Sequence, residues 1–179
     1  ELLIEDKDIE EAYNVANLAL NEEPDNIDFL YSRGLLAQRL DNLEQLEVDL
    51  RRIIQLEPDN AEAMNALGYT LADKTDRLEE ARALVEQANQ LSPNNPAIID
   101  SLGWIHYRLG DLNKALKLLQ TAYNDFPDHE VAAHLGEVLW QLKRNDEAQE
   151  IWQEGLENNP ESPVIKETQQ RLKIDTSAP

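Results

Sequence analysis

Cysteine is absent from all 179 residues. Its absence removes disulfides, thiolate metal sites and thiol nucleophiles together. It does not choose between a reducing and an oxidising compartment. Positive charge is scarce: 16 Lys and Arg stand against 36 Asp and Glu, for a formal charge of −20. Such a field repels phosphate backbones and anionic membrane surfaces, so nucleic acid is not an expected partner. No apolar run approaches the roughly 18 residues that span a bilayer, so direct membrane insertion is not expected either. The opening Glu1-Leu2-Leu3-Ile4 carries neither an initiator Met nor a secretory signal. The expectation is a piece of a longer protein, with any targeting segment upstream.

Recognisable chemistry is also missing. There is no phosphate-binding glycine loop, no HExxH pair and no EF-hand loop, so no cofactor, metal or catalytic residue is nominated. The histidines are His106, His129 and His134. His106 falls on a packing face and is expected to be a hydrogen-bonded interior imidazole. His134 and Asp100 fall where adjacent helices face each other. A charged pair suits them better than an acid–base dyad, because no nucleophile or metal cluster accompanies them. Acidic runs such as Glu22-Glu23 and Glu79-Glu80 are solvated helix faces.

What is present is a repeat. Prolines at Pro24, Pro58, Pro93, Pro127 and Pro160 are separated by 34, 35, 34 and 33 residues, each in a similar phrase. Glycines Gly34, Gly68, Gly103 and Gly136 follow with gaps of 34, 35 and 33. Two independent markers share one period. Between them the apolar spacing is helical: Ile99, Leu102, Gly103 and His106 on one face, Ala115, Leu119 and Ala122 on another, with Gly110-Asp111 as the turn between. Pro127 ends the second helix. A glycine inside a helix costs about 1 kcal/mol against alanine. A close helix–helix approach offsets that cost, with Ala81, Ala115 and Ala148 as the small residues on the facing helix.

Leu102-Gly103, Ala115, Leu119, Ala122 and Pro127 together resemble the tetratricopeptide repeat. Arg33-Gly34, Leu67-Gly68 and Leu135-Gly136 mark the same place in the other units. The resemblance covers nearly the whole chain. It departs from the family pattern at Arg33, at Leu46 (where a small residue is usual), at one extra residue around Lys74 to Arg77, and at Gly155. It implies an all-α fold: a right-handed superhelical solenoid of antiparallel helix pairs. The expected organisation is the second helix of a truncated repeat over 1–26, with its helical part from about Asp8 to Asn21 and Ala12, Ala16 and Ala19 at its packing positions. Four units follow at 27–60, 61–95, 96–128 and 129–161, then a capping helix over 162–173 and a tail over 174–179. Such a start implies further repeats upstream.

The family lines its concave face with the first helix of each unit. Carried onto this chain, the face comprises Tyr31, Leu35 and Gln38, then Asn65, Tyr69 and Ala72, then Asp100, Trp104 and Tyr107, then Ala133, Glu137 and Trp140. Arg39, Arg108 and Gln141 stand at its rim, and His134 beside Asp100. Five of the ten aromatic rings fall on this face, and aromatics are the usual anchors of protein interfaces. Trp152, Phe29 and Phe126 are expected to be packing residues. The family's basic carboxylate clamp is not expected, because Tyr31 and Asp100 flank Asn65 where basic residues would be needed; Arg39 and Arg108 remain as cations for an acidic group on a partner. The face suits an extended segment or a helix with apolar anchors.

The function expected is therefore a non-enzymatic scaffold or adaptor for another protein or peptide. The phrases NALGYTLAD (65–73) and DSLGWIHYRLG (100–110) are similar to those of Gram-negative outer-membrane tetratricopeptide lipoproteins, some of which are adaptors for a periplasmic processing protease. That resemblance implies the periplasmic side of the outer membrane, against a cytoplasmic alternative. The competing function is structural: a homo-oligomer stacked through an exposed N-terminal edge that includes Leu2, Leu3, Ile4 and Ile9.

Overall fold

The computed structural model describes residues 2–174, with side chains from residue 8 onward. Among the described residues there are ten helices and no strand. They are α1 (Leu2–Glu22), α2 (Ile27–Arg39), α3 (Leu43–Leu56), α4 (Ala61–Lys74), α5 (Leu78–Leu91), α6 (Pro96–Arg108), α7 (Leu112–Asp125), α8 (His129–Gln141), α9 (Asn145–Asn158) and α10 (Pro163–Arg171). Helices pair as α2 with α3, α4 with α5, α6 with α7 and α8 with α9, and the pairs stack into a solenoid. The even-numbered helices form one layer, in which α4 touches α6, α6 touches α8 and α8 touches α10.

Local chemistry sets the helix starts. Asn26, Asn60 and Asn95 each accept a backbone N–H from the first turn of the even-numbered helix that follows, and Asp128 and Ser162 do so for α8 and α10. Pro96 and Pro163 occupy the first turn, where a missing N–H is harmless. The turn inside each unit needs a left-handed residue seven positions after the helix glycine. Asp41 (φ 56°), Gly110 (φ 84°) and Lys143 (φ 64°) supply it in units one, three and four. The second unit, with its extra residue, does otherwise. Thr75 there is extended (φ −139°), and its hydroxyl bonds to Leu71 O at 2.6 Å while accepting from Arg77 N at 3.1 Å.

The close approach inferred from the glycines holds in three units. A Cβ on Gly68 would lie 2.9 Å from Ala81 O, one on Gly103 2.6 Å from Leu119 Cγ, and one on Gly136 2.5 Å from Trp152 Cε2. Gly34 differs, since its nearest neighbour would be Asp49 Cβ at an ordinary 3.6 Å. Leu46, fully buried, stands where the other units have alanine and leaves that space open. The interior of the first unit is correspondingly polar. Asp49, with no exposed surface, accepts from Arg33 Nε (2.9 Å) and from Gln45 Nε2 (3.0 Å). Arg33 also reaches Asn17 on α1 at 2.9 Å.

At the N-terminal end α1 begins earlier than expected, at Leu2. Ala16 is buried, as a packing residue should be, but Ala12 is exposed, because no helix lies against that face. Ile9 was expected on an exposed apolar edge and is instead buried; among the described side chains of α1 the large apolar residues left exposed are Val15 and Leu18. The side chains of Leu2, Leu3 and Ile4 lie outside the described residues. At the other end, Ile165 and Thr168 of α10 are buried on α8 and α9 while Glu167 and Gln170 face solvent. Of the expected tail, Ile174 still donates its N–H to Gln169 O, and 175–179 lie outside the described residues.

Candidate functional site

The first helices α2, α4, α6 and α8 place the expected face in register, but its two halves differ. In the N-terminal half the side chains remain accessible. Leu35 is 42 % exposed, Arg39 is exposed, and Tyr31, Gln38, Asn65 and Tyr69 are half-buried. Burial and the neighbouring Glu62 push the Tyr31 phenol up to about 12, so it is a neutral hydrogen-bonding group at any ordinary pH. Asn65 Oδ1 is closed off from solvent and has no donor among the described residues.

In the C-terminal half the expected face is occupied by its own side chains. Asp100, Trp104, His134 and Glu137 are buried and cannot serve as freely exposed anchors, which corrects the expectation for these four. The cause is a polar and aromatic network crossing consecutive units. His134 Nδ1 meets both Asp100 carboxylate oxygens at 3.0 Å, and its Nε2 lies 3.3 Å from Tyr69 Oη. The Trp104 ring stacks on His134, with centroids 4.4 Å apart. Tyr107 donates to Glu137 Oε1 at 2.6 Å, and Arg171 of α10 holds the same carboxylate with two hydrogen bonds of 2.7 and 2.6 Å. Burial acts on His134 most strongly and disfavours its charge, yet Asp100, by charge and hydrogen bond with Asp73 and Glu130 behind it, raises the imidazole above its ordinary value. Trp104 Nε1 is buried in this network without an acceptor among the described residues.

The remaining expected residues fall as follows. Ala72 and Ala133 are buried, Trp140 is half-buried with its ring 6.0 Å from that of Trp152, and Gln141 is exposed. Trp152 is core, as expected. Arg108 is not free to meet a partner's acid. Its guanidinium donates to the carbonyls of Ala72, Asp73 (3.1 Å) and Thr75 (3.3 Å), capping the C-terminal end of α4. His106 is buried and its imidazole is pulled below its ordinary value by burial and by Lys114, but no side-chain hydrogen bond to it exists among the described residues, contrary to expectation.

Phe126 is a further correction. Expected in the core, it is 57 % exposed and lines a pocket of about 210 Å³ with Asn65, Tyr69, Asp100, Glu130 and Val131. A signal for it existed in the sequence. The residue before each repeat proline is Glu23, Glu57, Ser92, Phe126 or Asn159, and only Phe126 is apolar. Among the described residues no group of His, Asp and Glu could hold a metal ion, and no helix is long and apolar enough to cross a membrane.

Comparison with known proteins agrees with this architecture. The tetratricopeptide repeat family matches residues 74–133 and 106–172, and a second tetratricopeptide repeat model matches 47–96. The chain belongs to the tetratricopeptide-repeat family. It is 48% identical over 128 residues to a TPR repeat-containing protein of Pseudomonas aeruginosa, covering 72% of this chain and 22% of that protein. The chain thus spans about a fifth of that relative's length. Among solved structures, a thermophilic TPR protein of Thermus thermophilus superposes with a TM-score of 0.79 at 20% identity, covering 93% of this chain and 91% of that one. MamA of Desulfovibrio magneticus superposes at 0.67 and 18% identity, covering 87% and 88%. These solved structures share the fold. A tetratricopeptide-repeat solenoid is a protein-interaction scaffold, because its stacked pairs expose an extended inner surface.

Proposed function

We propose that this scaffold holds an extended segment of another protein along the N-terminal half of its inner face. The observation that carries the reading is the contrast within that face. Tyr31, Leu35, Gln38 and Arg39 keep accessible side chains, whereas Tyr69 and the residues from Asp100 to Glu137 are engaged with one another. A site needs side chains not already spent on the fold, and the first helix α2 presents four of them together. The test couples the protein to resin, applies lysate and envelope fractions, and compares wild type with a Tyr31→Ala/Leu35→Arg variant. Leu35 is exposed but Tyr31 packs in part on the core, so Leu35→Arg alone, which should melt close to wild type, serves as the folding control. A partner retained by wild type and lost, or weakened at least tenfold, in the variant supports the reading. Equal retention places recognition elsewhere.

Within that reading, the partner we favour is an envelope protein, with a processing protease foremost and the periplasm as the compartment. Its support is the phrases at 65–73 and 100–110. Retention of cytoplasmic proteins alone, with envelope fractions giving nothing, removes this finer assignment and leaves the scaffold standing.

A further inference from the structure

The pocket under Phe126 has a definite chemistry. Its apolar wall is Phe126, Ala97 and Val131, contributed by the loop before α8, by α6 and by α8. Its polar side is Asn65, Asp100 and Glu130. No Lys or Arg lines it. Asp100 is committed to His134, and Asp128 caps α8 by accepting Glu130 N at 2.8 Å. The carboxylate of Glu130 is exposed and makes no ion pair among the described residues. Asn65 Oδ1, shielded from water, has no donor among the described residues. The site therefore offers the exposed carboxylate of Glu130, with Asp128 beside it, next to an exposed aromatic ring.

Anions are excluded as occupants. The N-terminus of α8 contributes about half a positive charge, which the whole charge of Glu130 in its first turn outweighs. A purely apolar occupant would cover the Glu130 carboxylate without giving it a partner. A neighbouring hollow of about 570 Å³ shares Asn65, Ala66 and Ala97 with this pocket, is bordered by Glu62, and again has no Lys or Arg in its lining. A polypeptide crossing from one hollow to the other would meet acceptors throughout, in a protein of charge −20.

We propose that this pocket takes the side chain of a lysine or arginine of the bound polypeptide, with an adjacent apolar residue packed on Phe126. The cation's N–H groups pair with the exposed Glu130 carboxylate, while its methylene stem lies along Ala97 and Val131. The inference rests on the scaffold reading above and names the partner's chemistry at one position.

The experiment is an NMR titration of the labelled protein with acetylated peptides Gly-Ser-Leu-X-Leu-Ser-Gly, X being lysine, arginine, acetyl-lysine or glutamate. The expected result is binding by the lysine and arginine peptides at least fivefold tighter than by the other two. The shifts should centre on Asn65, Phe126, Glu130 and Val131, and affinity should fall as salt rises. Phe126→Ala and Glu130→Gln, both at exposed positions, should each weaken the lysine peptide at least threefold with unchanged melting. Equal binding by acetyl-lysine, or shifts confined to other residues, overturns the proposal. Concentration-dependent dimerisation that Phe126→Ala abolishes would overturn it in favour of a second copy of this chain as the occupant. The two readings fail separately. If the resin-captured partner is lost on Tyr31→Ala/Leu35→Arg yet binds Phe126→Ala and Glu130→Gln as wild type, the scaffold stands and the cation pocket falls.

Discussion

Leu35 of the first unit and Glu137 of the fourth follow the same mid-helix glycine, yet their exposures are the reverse of their chemistry: 42 % for the leucine, 1 % for the glutamate. The difference lies in the neighbours. Glu137 has Tyr107 on one side and Arg171 on the other, so its carboxylate is buried with three hydrogen bonds. Leu35 has no such cover. The preceding glycines differ likewise: Gly136 lies hard against Trp152, whereas Gly34 has ordinary space. Equivalent repeat positions therefore carry equivalent backbone and unequal energetics. One end of this solenoid is bound to itself and the other is left accessible.

Breaking the tight end should have the largest effect. Gly136→Ala drives a methyl group into the fully buried Trp152 ring and should destabilise by about 3 kcal/mol in a urea melt. Next comes Arg171→Met, which strands the buried Glu137 carboxylate. Because the guanidinium is half-exposed and Tyr107 still donates, the loss should be about 2 kcal/mol rather than the full value for a buried pair. Adding Glu137→Leu should restore most of it, and no recovery would mean that Arg171 acts through packing alone.

The His134–Asp100 pair gives a smaller, pH-dependent effect. The imidazole is raised in the folded protein, so its stabilisation is complete below the ordinary histidine value of about 6.5 and is lost as pH rises through the raised value. The melting difference between wild type and His134→Gln should shrink from pH 6 towards pH 9; a difference that grows over that range contradicts the assignment. The smallest effect sharpens the contrast from the other side. Gly34→Ala has room for its methyl group and gains helix propensity, so it should stabilise by about 0.5 kcal/mol. If it destabilises as Gly136→Ala does, the two units are packed alike and the contrast fails.

Much of the architecture was legible in the chain itself. The spacing of Pro24, Pro58, Pro93, Pro127 and Pro160 and of the four glycines marks the helix pairs because each marker meets a local requirement, a helix stop or a close approach. The meeting of His134 with Asp100 was also legible, since one period of the repeat separates them and places them on adjacent helices. The site was legible only in part. Trp104 and Trp140 have the composition of anchors, but whether a ring faces solvent depends on what the next unit places over it. Arg108 looked like a free cation because nothing nearby in sequence announces the carbonyls of Ala72, Asp73 and Thr75, some 33 to 36 residues back.

The sequence by itself determined the period and the helix pairs of the four full units, because caps, prolines and apolar spacing act within one or two turns; the start of α1 and the facing of Ile9 and Phe126 it did not. Tertiary structure alone decided which side chains of the inner face remain available. Trp104 is covered by His134, Glu137 is clamped by Arg171, and Phe126 is left bare beside Asn65. Each outcome is set by a residue from a neighbouring unit, and exposure is a property of the stack that no single repeat contains.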